Sequence, residues 1–173
     1  MHGPARETTD GADNLVDFMA RFTTSAQFTR VFQEGMALVE ETADYLDGPG
    51  RAAARKLQRP AALAYATESM RLTTRLMQMA SWLLLQRALS NGEITPQAAV
   101  DEQRRIDLAA MEPGAGDLPA GLPDELGALI VRADKLQRRI ARLAAMIEAG
   151  APRQGEHPLA AHLERLGKAF GGA

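Results

Sequence analysis

The stretch ESMRLTTRLMQMASWLLLQRAL, residues 68–89, decides the fold class of this chain. It contains neither glycine nor proline, and its leucines and methionines favour helix over strand. Apolar side chains recur every three or four residues along it, which predicts a long helix with a buried face. Pro60 is a favourable first-turn residue and the pair Asn91-Gly92 is a stop signal, so the predicted helix runs from Pro60 to about Ser90.

Two further long helices are predicted on either side of this one. Thr24 and Gln27 match a capping box, and the helix that they start would end at Asp47, before a Gly-Pro-Gly sequence. A third helix is predicted over residues 124–149, where apolar side chains alternate in steps of three and four, as in the seam of a bundle. The residues of this seam are Leu126, Leu129, Ala133, Leu136, Ile140, Leu143 and Ile147.

These patterns predict an all-α fold, an antiparallel three-helix bundle with a short extra helix and flexible termini. Thr95 followed by Pro96 gives the start of the short extra helix. The bundle would occupy residues 24–149, within a chain of 173 residues that fits a single domain. Residues 1–23 are expected to be flexible, as are residues 150–173, which contain a short amphipathic segment.

The composition argues against an enzyme. The chain has no cysteine, and its three histidines, His2, His157 and His162, lie outside the predicted bundle. A thiol nucleophile, a Cys-ligated zinc site and a Glu-x-x-His diiron motif are therefore excluded, and no glycine-rich phosphate loop is present. We predict no catalytic residue, no metal and no cofactor.

The N-terminus lacks a signal-peptide pattern and the longest wholly apolar run is WLLL, so we expect a cytoplasmic protein without membrane contact.

Trp82, the only tryptophan, occupies an unexpected position on the helix that contains it. At about 100° per residue it shares a sector with Arg71, Arg75 and Gln78, which should face solvent in a three-helix bundle. Either another segment covers Trp82, such as the short helix after Thr95, or a second chain does, and tryptophan is enriched in interface hot spots. This sector is one candidate partner-binding face. The core stripe on the other face would be widened by Leu63, Ala66, Met70, Met77 and Leu84.

Acidic residues near the end of the first helix form a second candidate face. They are Glu40, Glu41, Asp44 and Asp47. Such a run is usually a solvated surface. Acids at a helix C-terminus nevertheless oppose the helix dipole, which makes a basic partner surface an alternative.

The C-terminal tail forms a third candidate face. Leu159, Leu163, Leu166 and Phe170 share one side of a helix beyond the break at Gly150. A stretch this short is marginal as an isolated helix. It would either fold on binding a partner or pack on its own bundle.

Basic residues of the third helix raise the question of nucleic-acid binding. Arg132, Lys135, Arg139 and Arg142 form a stripe opposite the seam. The formal net charge is −2, and no aromatic residues are interleaved with the stripe. A solvent-facing side of the bundle therefore explains the stripe better than a nucleic-acid partner does.

Two blocks of the sequence resemble the alphaproteobacterial RcdA family, the regulators of CtrA degradation. The blocks are EGMALVEETADYLDGPGR (residues 34–51) and LQRPAALAYATESMRLTTRLMQMASWLLLQRA (residues 57–88), and GEITPQ is similar to the segment that follows in that family. The resemblance implies a non-enzymatic proteolytic adaptor, a homodimer that helps to deliver the cell-cycle regulator CtrA and other cargo to the ClpXP protease. It also implies that ClpX, the adaptor CpdR and the effector PopA are partners, and that the protein localises to the cell pole. Two alternatives remain open, a dimeric helical scaffold without a protease role and a nucleic-acid-binding helical bundle.

Overall fold

The computed structural model describes residues 21–106 and 117–150. This part of the chain is helical, with turns and loops between helices and no strand, so the predicted all-α fold is confirmed. The helices are α1 (Ala26–Asp47), α2 (Pro49–Ala54), α3 (Arg59–Ser90), α4 (Pro96–Arg105) and α5 (Asp124–Gly150). The three long helices α1, α3 and α5 form the bundle, and α4 is the short extra helix. Residues 21–23 are also helical.

The first helix runs antiparallel to both of its long neighbours. Arg132 bonds Glu41, whereas Arg139, seven residues further along α5, bonds Glu34, seven residues earlier in α1. Arg87 near the end of α3 lies over the ring of Phe32 near the start of α1, 4.8 Å from its centroid. Since α1 is antiparallel to both, α3 and α5 run in the same direction.

The start of α1 differs from the prediction by one residue. The cap is Ser25 rather than Thr24, and its hydroxyl accepts a hydrogen bond of 3.2 Å from the backbone N–H of Phe28. The Thr24 hydroxyl instead donates to the carbonyl of Arg21. The Thr24–Gln27 capping box is therefore wrong, because a neighbouring hydroxyl of equal capping strength takes the position. At α4 the prediction is confirmed, since the Thr95 hydroxyl accepts a 3.2 Å bond from the N–H of Ala98.

The Gly-Pro-Gly sequence ends α1 and also begins another helix. Gly48 follows the last residue of α1, and Pro49 opens α2 at once, because proline suits the first helical turn. Because Gly50 has no side chain, α2 can pack closely against Tyr45 and Tyr65. A Cβ at this position would lie 2.7 Å from both Tyr45 Cε1 and Tyr65 Oη. The sequence predicted the end of α1 but not α2.

The main core lies between α1, α3 and α5. At its middle, a Cβ added to Gly35 of α1 would lie 2.8 Å from Leu83 of α3 and 3.7 Å from Leu136 of α5, so the absence of a side chain there allows close helix packing. The predicted seam of α5 is confirmed, since six of its residues are buried and Ile147 is half-buried against the core. A smaller cluster joins α4 to the end of α3 through Leu85, Leu89 and Ala99, with Ile94, Ile106 and Ile147 packed against it.

Candidate partner-binding faces

Trp82 is buried by its own chain. Its side chain is 1% exposed, and it belongs to the main core with residues of α1 and α5. The short helix α4 was a predicted cover, but its buried residue Ala99 belongs to the smaller cluster with Leu85 and Leu89. Of the two explanations that the sequence left open, intrachain cover is the one observed, and Trp82 offers no surface to a partner in this conformation.

The other members of the predicted Trp82 face lie beside the core rather than opposite it. Arg75 and Gln78 are half-buried, and Arg71 is exposed and bonds Glu68 at 2.8 Å. The buried sector of α3 is wide because both α1 and α5 pack on it. Arg71, Arg75 and Gln78 remain a predicted partner contact at the margin of the bundle.

The outward side of α3 carries an apolar stripe, and the predicted assignment of these residues to the core is wrong. The α3 stripe consists of Leu63, Met70, Met77 and Leu84, which are 71, 72, 64 and 51% exposed. Its members recur every seven residues, the repeat of a coiled-coil seam, over about 32 Å of helix. Exposed apolar patches of this kind mark interaction sites, and methionine suits surfaces that adapt to several partners.

A groove between α3 and α4 continues this stripe. The α3–α4 groove encloses about 660 Å³. Its polar lining residues are Thr74, Gln78, Ser81, Glu102 and Arg105. Its apolar lining residues are Met77, Leu84, Leu85, Ala88, Ile94, Ala98 and Ile106. Met77 and Leu84 thus belong both to the α3 stripe and to the groove, so the two form one continuous apolar surface.

The acidic face of α1 is exposed, as predicted from the run of acids. Its four residues Glu40, Glu41, Asp44 and Asp47 all reach solvent. Glu41 bonds Arg132 of α5 at 2.6 Å, and this hydrogen bond lowers the pKa of the Glu41 carboxyl and raises the pKa of Arg132. Both side chains are about half exposed, so the pair contributes at most about 1 kcal/mol to stability.

The same ion pairs occupy part of the basic stripe of α5. Arg132 bonds Glu41 and Arg139 bonds Glu34, both across to α1. Carboxylates of α1 therefore offset two of the four positive charges of the stripe. This pairing weakens the positive field that nucleic-acid binding requires.

A small pocket lies at the end of the bundle near the acidic face. It encloses about 320 Å³, and Tyr45 and Glu125 line it together with Glu41, Asp44 and Arg132. Burial raises the pKa of the Tyr45 phenol above its ordinary value of 10.0, and Tyr65 and Glu125 add to this effect. The backbone of Leu126 acts in the opposite direction.

Tyr45→Phe is expected to make the protein less sensitive to alkali. The folded chain raises the pKa of Tyr45, so folding favours the neutral phenol. The contribution of the neutral phenol to the free energy of unfolding is fully present below the ordinary pKa of 10.0. It is lost as the pH rises through the higher pKa of Tyr45 in the folded state. Urea unfolding of both proteins from neutral pH to roughly pH 11 would measure it. If Tyr45→Phe loses as much free energy of unfolding at alkaline pH as the unaltered protein does, the loss does not come from the Tyr45 phenol.

The predicted tail face lies outside the described residues. It comprises Leu159, Leu163, Leu166 and Phe170.

Within residues 21–106 and 117–150, histidine, aspartate and glutamate side chains form no group of three or more that could hold a metal ion. No helix in the same ranges is long and apolar enough to cross a bilayer.

Sequence reasoning missed the α3 stripe and the α3–α4 groove as surfaces. The seven-residue spacing of Leu63, Met70, Met77 and Leu84 was a visible signal. It was not recognised because apolar residues surround this part of α3 on nearly every side, so the pattern did not distinguish inner from outer positions.

The fold and these faces define a class of protein: a helical bundle whose conspicuous surface features are an exposed apolar stripe and an acidic face. The family model described as "Protein of unknown function (DUF1465)" matches residues 19–170. A crystal structure of RcdA from Caulobacter crescentus CB15 is 48% identical, with a TM-score of 0.57, and the match covers 74% of this chain and 96% of that chain. No curated protein sequence matches the chain. The chain belongs to the RcdA family, as its sequence blocks indicated.

Proposed function

We propose that this protein is a non-enzymatic proteolytic adaptor that helps to deliver CtrA and other cargo to the ClpXP protease. The observation that carries the proposal is the 48% identity to RcdA over 96% of that chain. Cell-pole localisation and action together with CpdR and PopA belong to the same proposal.

The surface of the bundle fits such a role. An adaptor performs no chemistry on its cargo and works by raising the effective concentration of cargo near the unfoldase. It therefore needs separate faces for separate partners. The α3 stripe, the acidic face of α1 and the Arg71/Arg75/Gln78 margin are three candidates for such faces.

We assign the α3 stripe to a second copy of the chain. Four large apolar side chains at seven-residue spacing on one helix form a seam that two antiparallel or parallel copies can share. Leu63 and Met70, the most exposed members at 71 and 72%, would be the central contacts of this homodimer. The acidic face of α1 then remains available to ClpX, the other adaptors or cargo.

The two alternatives, a dimeric scaffold and a nucleic-acid-binding bundle, explain fewer of these observations. A dimeric scaffold without a protease role would explain the α3 stripe, but not the similarity to RcdA. A nucleic-acid-binding bundle would require a free basic stripe on α5, where Arg132 and Arg139 instead bond carboxylates of α1.

The decisive experiment is reconstituted degradation of CtrA. Purified ClpXP, CpdR, PopA and CtrA from one organism would be mixed with and without this protein. CtrA is expected to disappear faster when the protein is present, and only while all the other components are present. A heat-denatured sample serves as the control. An unchanged CtrA half-life at saturating protein would contradict the adaptor role, and a dimer without any effect on degradation would favour the scaffold.

A further inference from the structure

The α3–α4 groove is an apolar surface left open in the described part of the chain. Leu84 at its edge is 51% exposed and Met77 is 64% exposed. Covering such side chains removes apolar surface from water, which is favourable. A segment able to cover the groove would therefore be held there by the hydrophobic effect.

The last helix ends beside this groove. Ile147 of α5 packs against the smaller cluster, together with Ile94 and Ile106. Leu85 of that cluster also lines the groove, as do Ile94 and Ile106. The end of α5, from which residues 151–173 continue, therefore lies beside the groove.

The tail has the pattern and the length to fill it. Its four apolar residues are spaced by four, three and four positions, the pattern of a helix that lays one face in a groove. As a helix, residues 159–170 would be about 18 Å long. The groove follows α3 from Thr74 to Ala88, which corresponds to about 21 Å of helix.

We propose that residues 159–170 dock as an amphipathic helix in the α3–α4 groove of their own chain. Leu159, Leu163, Leu166 and Phe170 are the side chains that enter it. The connecting residues 151–158 reach up to about 28 Å when extended, which exceeds the length of the groove, so either direction of docking is possible. A tether of this length gives an effective concentration in the millimolar range, and a second copy at micromolar concentration cannot match it.

A tail docked in the groove also covers part of the neighbouring α3 stripe. Met77 and Leu84 line the groove and also belong to the α3 stripe, so a docked tail covers half of that stripe. A partner that needs these two residues must first displace the tail. Leu63 and Met70 stay uncovered. The inference holds whether or not the protein delivers cargo to a protease.

Energy transfer from Trp82 to the tail tests the proposal. Trp82 is the only tryptophan and the chain has no cysteine, so an Ala161→Cys variant accepts a fluorescent acceptor at one position. On a helical tail, position 161 would lie on the side opposite the four apolar residues, so the label would not block docking. Strong transfer is expected in the full chain, and most of it should be lost in Leu84→Asp, which changes an exposed groove residue. Val131→Asp, the same change at an exposed residue of α5 outside both the groove and the α3 stripe, should leave transfer unaltered.

A second variant separates docking from folding. Leu163→Asp with Leu166→Asp alters only the tail, so loss of transfer there cannot come from an unfolded bundle, and circular dichroism would verify the fold in each variant. Transfer that is independent of protein concentration supports docking within one chain. The proposal is overturned if Leu84→Asp and the tail variant transfer as well as the unaltered chain, or if dilution abolishes transfer, which would place the tail on a second copy.

Discussion

Trp82→Ala is expected to lower the free energy of unfolding by about 3–5 kcal/mol, the range for truncating a fully buried large aromatic residue. The side chain is 1% exposed at the centre of the main core, and the structure supplies its cover from within the chain. Because domains of this size have a net stability of only about 5–15 kcal/mol, the loss would be a large fraction of the total. Urea unfolding followed by circular dichroism would measure it without relying on tryptophan fluorescence.

Two controls separate this core effect from an effect on association. Met70→Ala on the same helix removes a side chain that is 72% exposed, so the free energy of unfolding of the monomer should change by no more than about 0.5 kcal/mol. Trp82→Phe keeps an aromatic ring in the core and should cost less than the alanine variant. A Trp82→Ala protein that keeps its stability but dissociates into monomers would show that the side chain acts between chains instead.

The double variant Leu63→Asp with Met70→Asp is expected to abolish dimerisation at micromolar concentration. If each residue is a hot spot worth about 2 kcal/mol, the dissociation constant should rise by about 30-fold for each substitution. Burying a carboxylate in an apolar seam adds to the loss. Sedimentation equilibrium over a range of concentrations would give the dissociation constants of the unaltered and the variant protein.

A matched substitution elsewhere tests whether the effect is specific to the α3 stripe. Val131→Asp introduces the same charge at a residue of α5 that is 44% exposed and lies outside the stripe, and it should leave the dimer intact. Since Leu63 and Met70 are exposed, the double variant should retain the helical content of the unaltered protein. A dimer that survives both substitutions would place the interface on another face.

Local interactions explain what could be predicted of the helices. The start of α4 was predicted because Thr95 and Pro96 act on the backbone of the next few residues, and neighbouring helices do not change that preference. The seam of α5 was predicted because its apolar residues recur in unbroken steps of three and four, which places them on one side of the helix. At the start of α1, Thr24 and Ser25 are both good caps, so local chemistry did not distinguish between them.

The candidate faces were predicted less completely. The acidic residues of α1 were correctly placed on the surface, because carboxylates are rarely buried. Their bonds to α5 were not foreseen, since Glu41 and Arg132 are 91 residues apart in the chain. The α3–α4 groove was also missed, because it exists only where α4 packs against the end of α3.

The sequence by itself determined the helical class, the approximate limits of the long helices, the family and the lack of cysteine and of any motif for catalysis. The tertiary structure decided which side of α3 is buried. Trp82 and Met70 are both large and apolar, yet one is 1% and the other 72% exposed. When a helix is apolar on nearly all sides, the hydrophobic effect favours burying each side about equally, and the positions of α1 and α5 select the one that leaves water.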